Sequence, residues 1–193
     1  MIKVAIFASG NGSNAINLYN YFHNHPTISI DGIYCNNPMA GIIEKSKSLD
    51  IRCIVFGKEN WLSGDIGQTL INNQIDFIVL AGFLWLVPKD IIKQFNNRII
   101  NIHPALLPNY GGKGMYGMNV HKKVIADKQN ESGITIHLVN EEYDKGEILL
   151  QERVEILESD TADTLAAKIH QLEYDYFSET VENYIKDYTK KGR

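Results

Sequence analysis

Residues Ile2–Ala8 read IKVAIFA, and the glycine-rich residues 9–13 (SGNGS) follow them directly. An almost uninterrupted apolar run of this length is typical of a parallel strand that is buried on both faces of its sheet. Glycine lets the backbone turn tightly after such a strand, and the pattern over residues 14–22 predicts a helix. Units of strand, turn and helix build α/β sheets, so this stretch sets the fold class.

The same alternation continues outward from this unit through the first half of the chain. Four more strands are predicted at 28–35, 52–56, 76–81 and 98–103, and helices are predicted at 39–49, at 63–73 and from Pro88 onward. Strand and helix therefore alternate repeatedly, and a parallel, doubly wound sheet is the simplest way to join them.

The second half departs from this rhythm. Residues 104–119 are rich in glycine and show no hydrophobic periodicity. The expected elements after them are a short helix at 120–127, two strands at 133–139 and 147–154, and a long amphipathic helix at 162–188. No linker rich in proline or serine divides the halves, so residues 1–193 are predicted to form a single α/β domain.

The composition is that of an ordinary globular protein, with 193 residues of which 44% are hydrophobic and 22% charged. A formal net charge of −4 gives no support for nucleic-acid binding through a general basic surface. Cys35 and Cys53 lack the spacing of a metal or redox motif, which fits a reduced chain in the cytoplasm. No signal segment and no membrane-spanning run is recognisable, so neither a membrane partner nor a metal is expected.

Residues 101–108 (NIHPALLP) are the strongest candidate for an active site. The strand that leads into them alternates, so Asn101 and His103 project from one face, and Pro104 stops strand pairing because it lacks an N–H. An amide can donate to an oxygen that gains charge, and an imidazole can move protons near neutral pH. Together these groups suit attack on a carbonyl, and the alternative is that they only end the strand.

Residues 10–14 (GNGSN) form a second candidate site, between the first strand and the first helix. Free backbone N–H groups at the start of a helix favour an anion, and Ser13 and Asn14 add side-chain donors. The loop also satisfies the loose dinucleotide pattern, but Asn36 and Asn37 stand where that pattern requires an acid for a ribose. A phosphate loop without a nicotinamide cofactor is therefore favoured, and a turn needed only for chain reversal is the alternative.

These motifs resemble those of the folate-dependent formyltransferases. Residues 101–108 match the N-I-H-P-[SA]-L-L-P signature of that family, and Tyr143-Asp144-x-Gly146 follows at the spacing that the family shows. The GNGSN loop is similar to the loop with which the members that formylate glycinamide ribonucleotide hold the substrate phosphate. By itself Asp144 reads as a solvated acid in a turn, and its role comes from the resemblance alone. The resemblance covers nearly the whole chain and implies a Rossmann-like formyltransferase fold.

The resemblance also implies a reaction. A formyl group is expected to pass from 10-formyltetrahydrofolate to the amine of 5'-phosphoribosylglycinamide, in de novo purine biosynthesis, without a metal. Asn101, His103 and Asp144 are then the catalytic residues, and the Asp144 carboxylate is expected to raise the pKa of His103. The implied partners are glycinamide ribonucleotide and the reduced folate, and the oligomeric state is left open.

Binding residues follow from the same resemblance. The residues that correspond to substrate contacts are Gly12, Ser13, Asn14 and Glu173, for the last of which a solvated helix face is the alternative. The residues whose backbone is expected to hold the folate are Leu84, Trp85, Leu86 and Val87 in one segment and Asn140, Glu141, Glu142 and Tyr143 in another. Residues 1–100 are then the phosphate-binding half, and residues 101–193 are the catalytic and folate-binding half.

Some positions depart from the family pattern. Trp85 stands where many members carry Arg, and Lys58 is the nearest basic candidate to replace a phosphate-side Arg of the family. His137 is interpreted as a structural histidine, and His170 shows no pairing in the sequence.

Three other functions share parts of this pattern. A formyltetrahydrofolate hydrolase usually carries a further N-terminal domain and lacks the GNGSN loop. A sugar-nucleotide formyltransferase binds a different acceptor. A folate- or nucleotide-binding module without catalysis can lose Asn101, His103 or Asp144, and all three are present here.

Overall fold

The computed structural model describes residues Met1–Gly192. In chain order the first elements are β1 (Ile2–Ala8), α1 (Ser13–Phe22), β2 (Ile28–Cys35), α2 (Gly41–Ser48), β3 (Cys53–Val55), α3 (Lys58–Leu62), α4 (Asp65–Asn72), β4 (Phe77–Leu80) and α5 (Lys89–Gln94). They are followed by β5 (Ile99–His103), α6 (Met118–Ala126), β6 (Glu131–Leu138), β7 (Ile148–Glu155) and α7 (Ala162–Lys190).

The strands form one seven-stranded sheet in the order β3-β2-β1-β4-β5-β6-β7. β1 pairs in parallel with β2 and with β4, and β2 pairs in parallel with β3, whereas β6 and β7 are antiparallel. The predicted α/β class with a mostly parallel, doubly wound sheet is confirmed. The strand order reverses at β1 and β4, which is the kind of switch point beside which open α/β sheets bind ligands. The chain divides into two compact units, Met1–Ile100 and Asn101–Arg193.

The core of the first unit is aromatic and is centred on Phe7 in β1. The Phe7 ring stacks on Tyr34 at a centroid distance of 4.9 Å and meets Phe83 edge-on at 5.3 Å. Trp61, in α3, packs against the same ring at 5.6 Å. Because these four rings bury β1 tightly, they also fix where the glycine-rich loop after β1 begins.

The helix predicted at 63–73 corresponds to α4, and a further short helix, α3, precedes it. Gly64 lies between them with φ 89°, a left-handed conformation that cannot continue an α-helix and that glycine adopts readily. The five residues of α3 are too few to display a hydrophobic period, which is why the sequence pattern missed it.

The second unit contains α7, a helix of 29 residues whose buried face follows a regular spacing. Buried positions four residues apart are Leu165, Ile169, Glu173, Phe177, Val181 and Ile185. Thr161 fixes the start of the helix, because its Oγ1 accepts the N–H of Thr164 at 3.3 Å. Within Met1–Gly192, α7 included, no helix combines the length and the apolar character needed to cross a membrane.

Candidate active site

β5 presents the two polar side chains of the NIHP motif. His103 is the last residue of the strand, directly before Pro104 as predicted, and it is 4% exposed. Its Nε2 lies 2.8 Å from the backbone carbonyl oxygen of Tyr110. A carbonyl oxygen only accepts, so Nε2 carries the proton of the neutral imidazole and Nδ1 keeps its lone pair.

Asp144 faces the second nitrogen of this ring. Its Oδ2 lies 3.7 Å from Nδ1 of His103 and accepts a hydrogen bond of 2.8 Å from the backbone N–H of Gly112. Gly146, two residues later, allows a close approach of the chain, because a Cβ there would lie 1.7 Å from the carbonyl oxygen of Leu138. The D-x-G motif therefore brings the start of β7 against the end of β6 and holds Asp144 in the turn between them.

His137 contacts both Asn101 and Asp144, although the sequence favoured a purely structural role for it. Its Nδ1 lies 2.7 Å from the carbonyl oxygen of Leu138, so the ring proton is on Nδ1 and Nε2 accepts. The amide nitrogen of Asn101 donates to that Nε2 at 3.0 Å, and Asp144 Oδ1 lies 3.7 Å from it. His137 thus orients the Asn101 amide and links it to Asp144. The sequence did contain a sign of this role, because polar Thr135 and His137 alternate with apolar residues in β6 and so lie on one face of the strand.

Electrostatics in this cluster follow mainly from burial. Burial lowers the pKa of His103 and outweighs Asp144 and the bond to Tyr110, both of which raise it. Asp144 does act on the pKa of His103 in the expected direction, but the net pKa lies below its ordinary value because burial is the larger effect. Burial raises the pKa of Asp144, but the nearby His137 and His103 rings and the N–H of Gly112 together bring that pKa below its ordinary value. At neutral pH the pair is a neutral imidazole beside an ionised carboxylate.

Thr135 on β6 holds the turn that follows His103. Its Oγ1 donates to the carbonyl oxygen of Ala105 at 2.6 Å and accepts the backbone N–H of Leu107 at 3.0 Å. Gln151 on β7 donates to the same Oγ1 and to the carbonyl oxygen of Leu107, each at 2.9 Å. Three of these four bonds satisfy backbone groups and the fourth joins the two side chains, so the turn after the strand is held firmly.

Glu173 lies on the buried face of α7 and is 5% exposed, so the alternative of a solvated helix face is wrong. Its Oε2 lies 2.8 Å from Nδ1 of His170, and this hydrogen bond raises the pKa of His170. The expectation that His170 has no partner is therefore wrong as well. The Glu173 charge acts on His121 as well, although burial lowers the pKa of His121 by more than that charge raises it.

The glycine-rich loop of the first unit ends at Gly12, the N-cap of α1, where φ is 73°. A Cβ on Gly12 would lie 2.3 Å from Cδ1 of Ile42, so both the backbone conformation and the packing require glycine. Ser13 and Asn14 are the first residues of α1, and no side chain caps the helix. The predicted substrate residues Gly12, Ser13 and Asn14 therefore lie together at an N-terminus whose N–H groups suit an anion.

The predicted folate segment 84–87 is fixed by two side chains of the first unit. Ser9 Oγ accepts the N–H of Leu84 at 3.0 Å, and the indole N–H of Trp61 donates to the carbonyl oxygen of Leu86 at 3.0 Å. Leu84 and Leu86 are 47% and 43% exposed, which is unusual for leucine in a folded unit. The segment is thus anchored from inside while the side chains of its two leucines are exposed and Val87 is buried.

The second predicted folate segment, 140–143, is a turn that Asn140 organises. Its Oδ1 accepts the N–H of Glu142 at 2.9 Å, and its Nδ2 donates to the carbonyl oxygen of Lys145 at 3.0 Å. Glu141 and Tyr143 are exposed beside it. Among residues Met1–Gly192, no group of three or more His, Cys, Asp or Glu side chains is arranged to hold a metal ion.

The chain that carries Asn101, His103 and Asp144 in this arrangement matches a known family model over residues 2–181, and that family is described as formyl transferase. The chain belongs to the formyl transferase family. The family model covers both units of this chain, from the start of β1 into α7.

Relatives of this chain include the chloroplastic phosphoribosylglycinamide formyltransferase of Vigna unguiculata, 40% identical over 190 residues. The phosphoribosylglycinamide formyltransferase of Bacillus subtilis (strain 168) is 31% identical over 188 residues, which are 94% of each chain. The plant alignment covers 93% of this chain but only 60% of the plant protein, so the chain spans less than two thirds of that relative.

Solved structures of phosphoribosylglycinamide formyltransferases are similar to this chain over almost its whole length. The crystal structure of phosphoribosylglycinamide formyltransferase from Bacillus halodurans has a TM-score of 0.84 at 32% identity and covers 94% of each chain. The corresponding structure from Streptococcus pneumoniae TIGR4 has a TM-score of 0.85 at 29% identity and covers 96% of this chain and 99% of the other.

Proposed function

We propose that this chain transfers the formyl group of 10-formyltetrahydrofolate to the amine of 5'-phosphoribosylglycinamide, in de novo purine biosynthesis. The observation that carries the proposal is the cluster of a partly buried Asn101, a buried neutral His103 and a partly buried, ionised Asp144. Relatives named phosphoribosylglycinamide formyltransferase support the choice of acceptor.

The reaction begins when the glycinamide amine attacks the formyl carbon of the donor. A bond forms between nitrogen and carbon, and the formyl oxygen takes the negative charge of a tetrahedral intermediate. His137 holds one amide N–H of Asn101 at 3.0 Å, and the second N–H of that amide stabilises the oxyanion. An oriented donor of this kind needs no rearrangement as the charge develops.

His103 moves the proton. Its Nδ1 lone pair accepts the proton of the attacking nitrogen, while its Nε2 proton stays on the Tyr110 carbonyl. The imidazolium so formed lies 3.7 Å from Asp144, whose carboxylate stabilises the new charge. The proton then passes to N10 of the folate as the bond between carbon and N10 breaks, and the imidazole becomes neutral again. Because Nδ1 carries no hydrogen at the start, Asn101 rather than His103 holds the oxyanion first.

Different residues are expected to bind different chemical groups of the substrate. The N–H groups at Gly12, Ser13 and Asn14 suit the phosphate of the ribonucleotide. The Glu173 carboxylate only accepts hydrogen bonds, so it suits hydroxyl or amine donors of the substrate and not its phosphate. The role of each of these four residues is a prediction.

On the folate side, the internal bonds narrow the expected contacts. The N–H of Leu84 and the carbonyl of Leu86 are used by Ser9 and Trp61, so we expect other backbone groups of residues 84–87 to bind the pterin. The turn 140–143 is the second expected contact. A cytoplasmic location and a single domain over residues 1–193 remain predictions from the sequence.

A donor absorbance assay with three acceptor conditions tests this function. Purified protein receives a 10-formylfolate donor with glycinamide ribonucleotide, with an amino sugar nucleotide, or with no acceptor. We expect loss of the donor only with the ribonucleotide. Loss without an acceptor would indicate a formyltetrahydrofolate hydrolase, and loss only with the sugar nucleotide would indicate a sugar-nucleotide formyltransferase.

A further inference from the structure

The ammonium group of Lys45 lies against the glycine-rich loop that the proposed function assigns to the substrate phosphate. Lys45 is on α2, and its Nζ donates to the carbonyl oxygen of Asn11, inside the GNGSN sequence, at 2.9 Å. We propose that Lys45 supplies the positive charge that binds the phosphate of the ribonucleotide. This inference rests on the proposed function of that loop.

Packing between α2 and the loop makes the position of Lys45 well defined. The N–H of Ile42 donates to the carbonyl oxygen of Gly10 at 3.2 Å, and the Ile42 side chain fills the space beside Gly12 where a Cβ would clash. At Gly41 a Cβ would lie 3.0 Å from Oδ1 of Asn11. Lys45 follows Gly41 and Ile42 by about one helical turn, so its side chain extends from the same face of α2.

A charge is needed here because the loop itself offers only neutral donors. The first turn of α1 contains no acidic residue and no capping side chain, so no negative charge there opposes an anion. An ammonium has three N–H donors, and the carbonyl oxygen of Asn11 uses one of those of Lys45. Lysine binds phosphate as a point charge, and a local cation matters more in a chain whose net charge is −4.

The sequence alone favoured a different residue. Lys58 was the nearest basic candidate for a phosphate-side cation, and it begins α3. The ammonium bonded to the GNGSN loop is instead that of Lys45. Its position thirty-four residues beyond Asn11 depends on how α2 packs, which explains why no motif spacing indicated it.

The test compares Lys45→Met with Lys45→Arg and with Lys47→Met as a matched control. Lys47 is on the same helix but points to another face, since two residues correspond to more than half a turn. Each variant is assayed with glycinamide ribonucleotide and with the corresponding riboside that lacks the phosphate. For Lys45→Met we expect KM for the ribonucleotide to rise about tenfold or more, the value for losing a charged hydrogen bond, with kcat nearly unchanged.

The riboside assay distinguishes a role of Lys45 in binding the phosphate from a role in supporting the loop. With it we expect Lys45→Met and wild type to be equal, Lys45→Arg to keep most of the affinity for the ribonucleotide, and Lys47→Met to match wild type throughout. An equal loss of Lys45→Met activity with both substrates would overturn the proposal, because Lys45 would then only support the loop.

A binding measurement separates failure of this inference from failure of the proposed function. The rise in Tm that inorganic phosphate causes is measured for wild type, Lys45→Met and Lys47→Met. We expect a smaller rise for Lys45→Met alone. If wild type formylates no glycinamide ribonucleotide, the proposed function fails. The phosphate-dependent Tm then still decides on Lys45, and equal shifts in all three proteins would contradict its role.

Discussion

Nε2 of His103 lies 2.8 Å from the backbone carbonyl oxygen of Tyr110, and this contact determines which ring nitrogen can react. Tyr110 has a left-handed backbone with φ 55°, and its hydroxyl donates to Oδ2 of Asp127 at 3.0 Å. Asp127 in turn pairs with Lys123 at 2.5 Å. Tyr110, whose carbonyl fixes the tautomer of His103, is therefore itself held in place by the hydrogen bond of its side chain.

Removal of the Tyr110 hydroxyl tests this support. For Tyr110→Phe we expect kcat to fall about 3- to 10-fold, the value of one ordinary hydrogen bond, because the carbonyl that orients His103 is held less firmly. Steady-state kinetics measure the change. Tyr116→Phe, at an exposed tyrosine nearby in the chain, is the control and should leave kcat unchanged. Equal kcat in wild type and Tyr110→Phe would show that the hydroxyl has no such role.

Asp144→Asn changes the charge beside His103 at nearly constant size. We expect kcat to fall by about 10²- to 10⁴-fold, because the imidazolium formed during proton transfer loses its counter-charge. Burial already places the pKa of His103 below 6.5, and Asp144 raises that pKa, so its removal lowers it further. The acid limb of kcat/KM should therefore lie below pH 6.5 in wild type and move to lower pH in the variant. If the acid limb of kcat/KM lay at the same pH in both proteins, Asp144 would have no influence on the pKa of His103.

Gly12→Ala tests whether the loop tolerates a side chain. The new Cβ would lie 2.3 Å from Ile42 Cδ1 at a φ of 73°, so both packing and backbone are strained. We expect the free energy of unfolding to fall by about 1–3 kcal/mol and KM for the ribonucleotide to rise. Urea denaturation gives the first quantity. Gly10→Ala is the control, because its Cβ would meet nothing within 4 Å. Similar losses of stability in both variants would contradict the packing argument.

The pair of His170 and Glu173 predicts a pH-dependent stability. The hydrogen bond with Glu173 raises the pKa of His170 above 6.5, although partial burial opposes it. A raised histidine pKa contributes stability that is complete below the unfolded value of 6.5 and is lost as pH rises through the folded value. We therefore expect His170→Gln to lower Tm more at about pH 6 than at about pH 8.5. A pH-independent difference in Tm would contradict this sign.

Local chemistry explains how much of the site could be predicted. Asn101, His103 and Pro104 are neighbours in sequence, so strand alternation and the missing N–H of proline were enough to predict that the motif ends a strand. The D-x-G motif likewise contains its own reason, because Gly146 allows the close approach that positions Asp144. Both motifs depend on backbone geometry over a few residues.

What the sequence did not reveal depends on contacts between distant residues. The tautomer of His103 depends on the Tyr110 carbonyl, and its lowered pKa depends on burial, neither of which has a sequence pattern. The burial of Glu173 could have been predicted, because it falls on the four-residue spacing of the apolar face of α7. The bond between Lys45 and Asn11 has no such signal, since it joins two elements across thirty-four residues.

Transfer of an isotopic label tests the central claim most directly. The donor is 10-formyltetrahydrofolate with ¹³C in the formyl carbon, the acceptor is glycinamide ribonucleotide, and NMR follows the label in wild type and in His103→Ala. We predict that wild type moves the label onto the glycinamide nitrogen and that His103→Ala is slower by about 10²- to 10⁴-fold, as for loss of a general base. Label released as formate by wild type, or an unchanged rate in His103→Ala, would contradict the account.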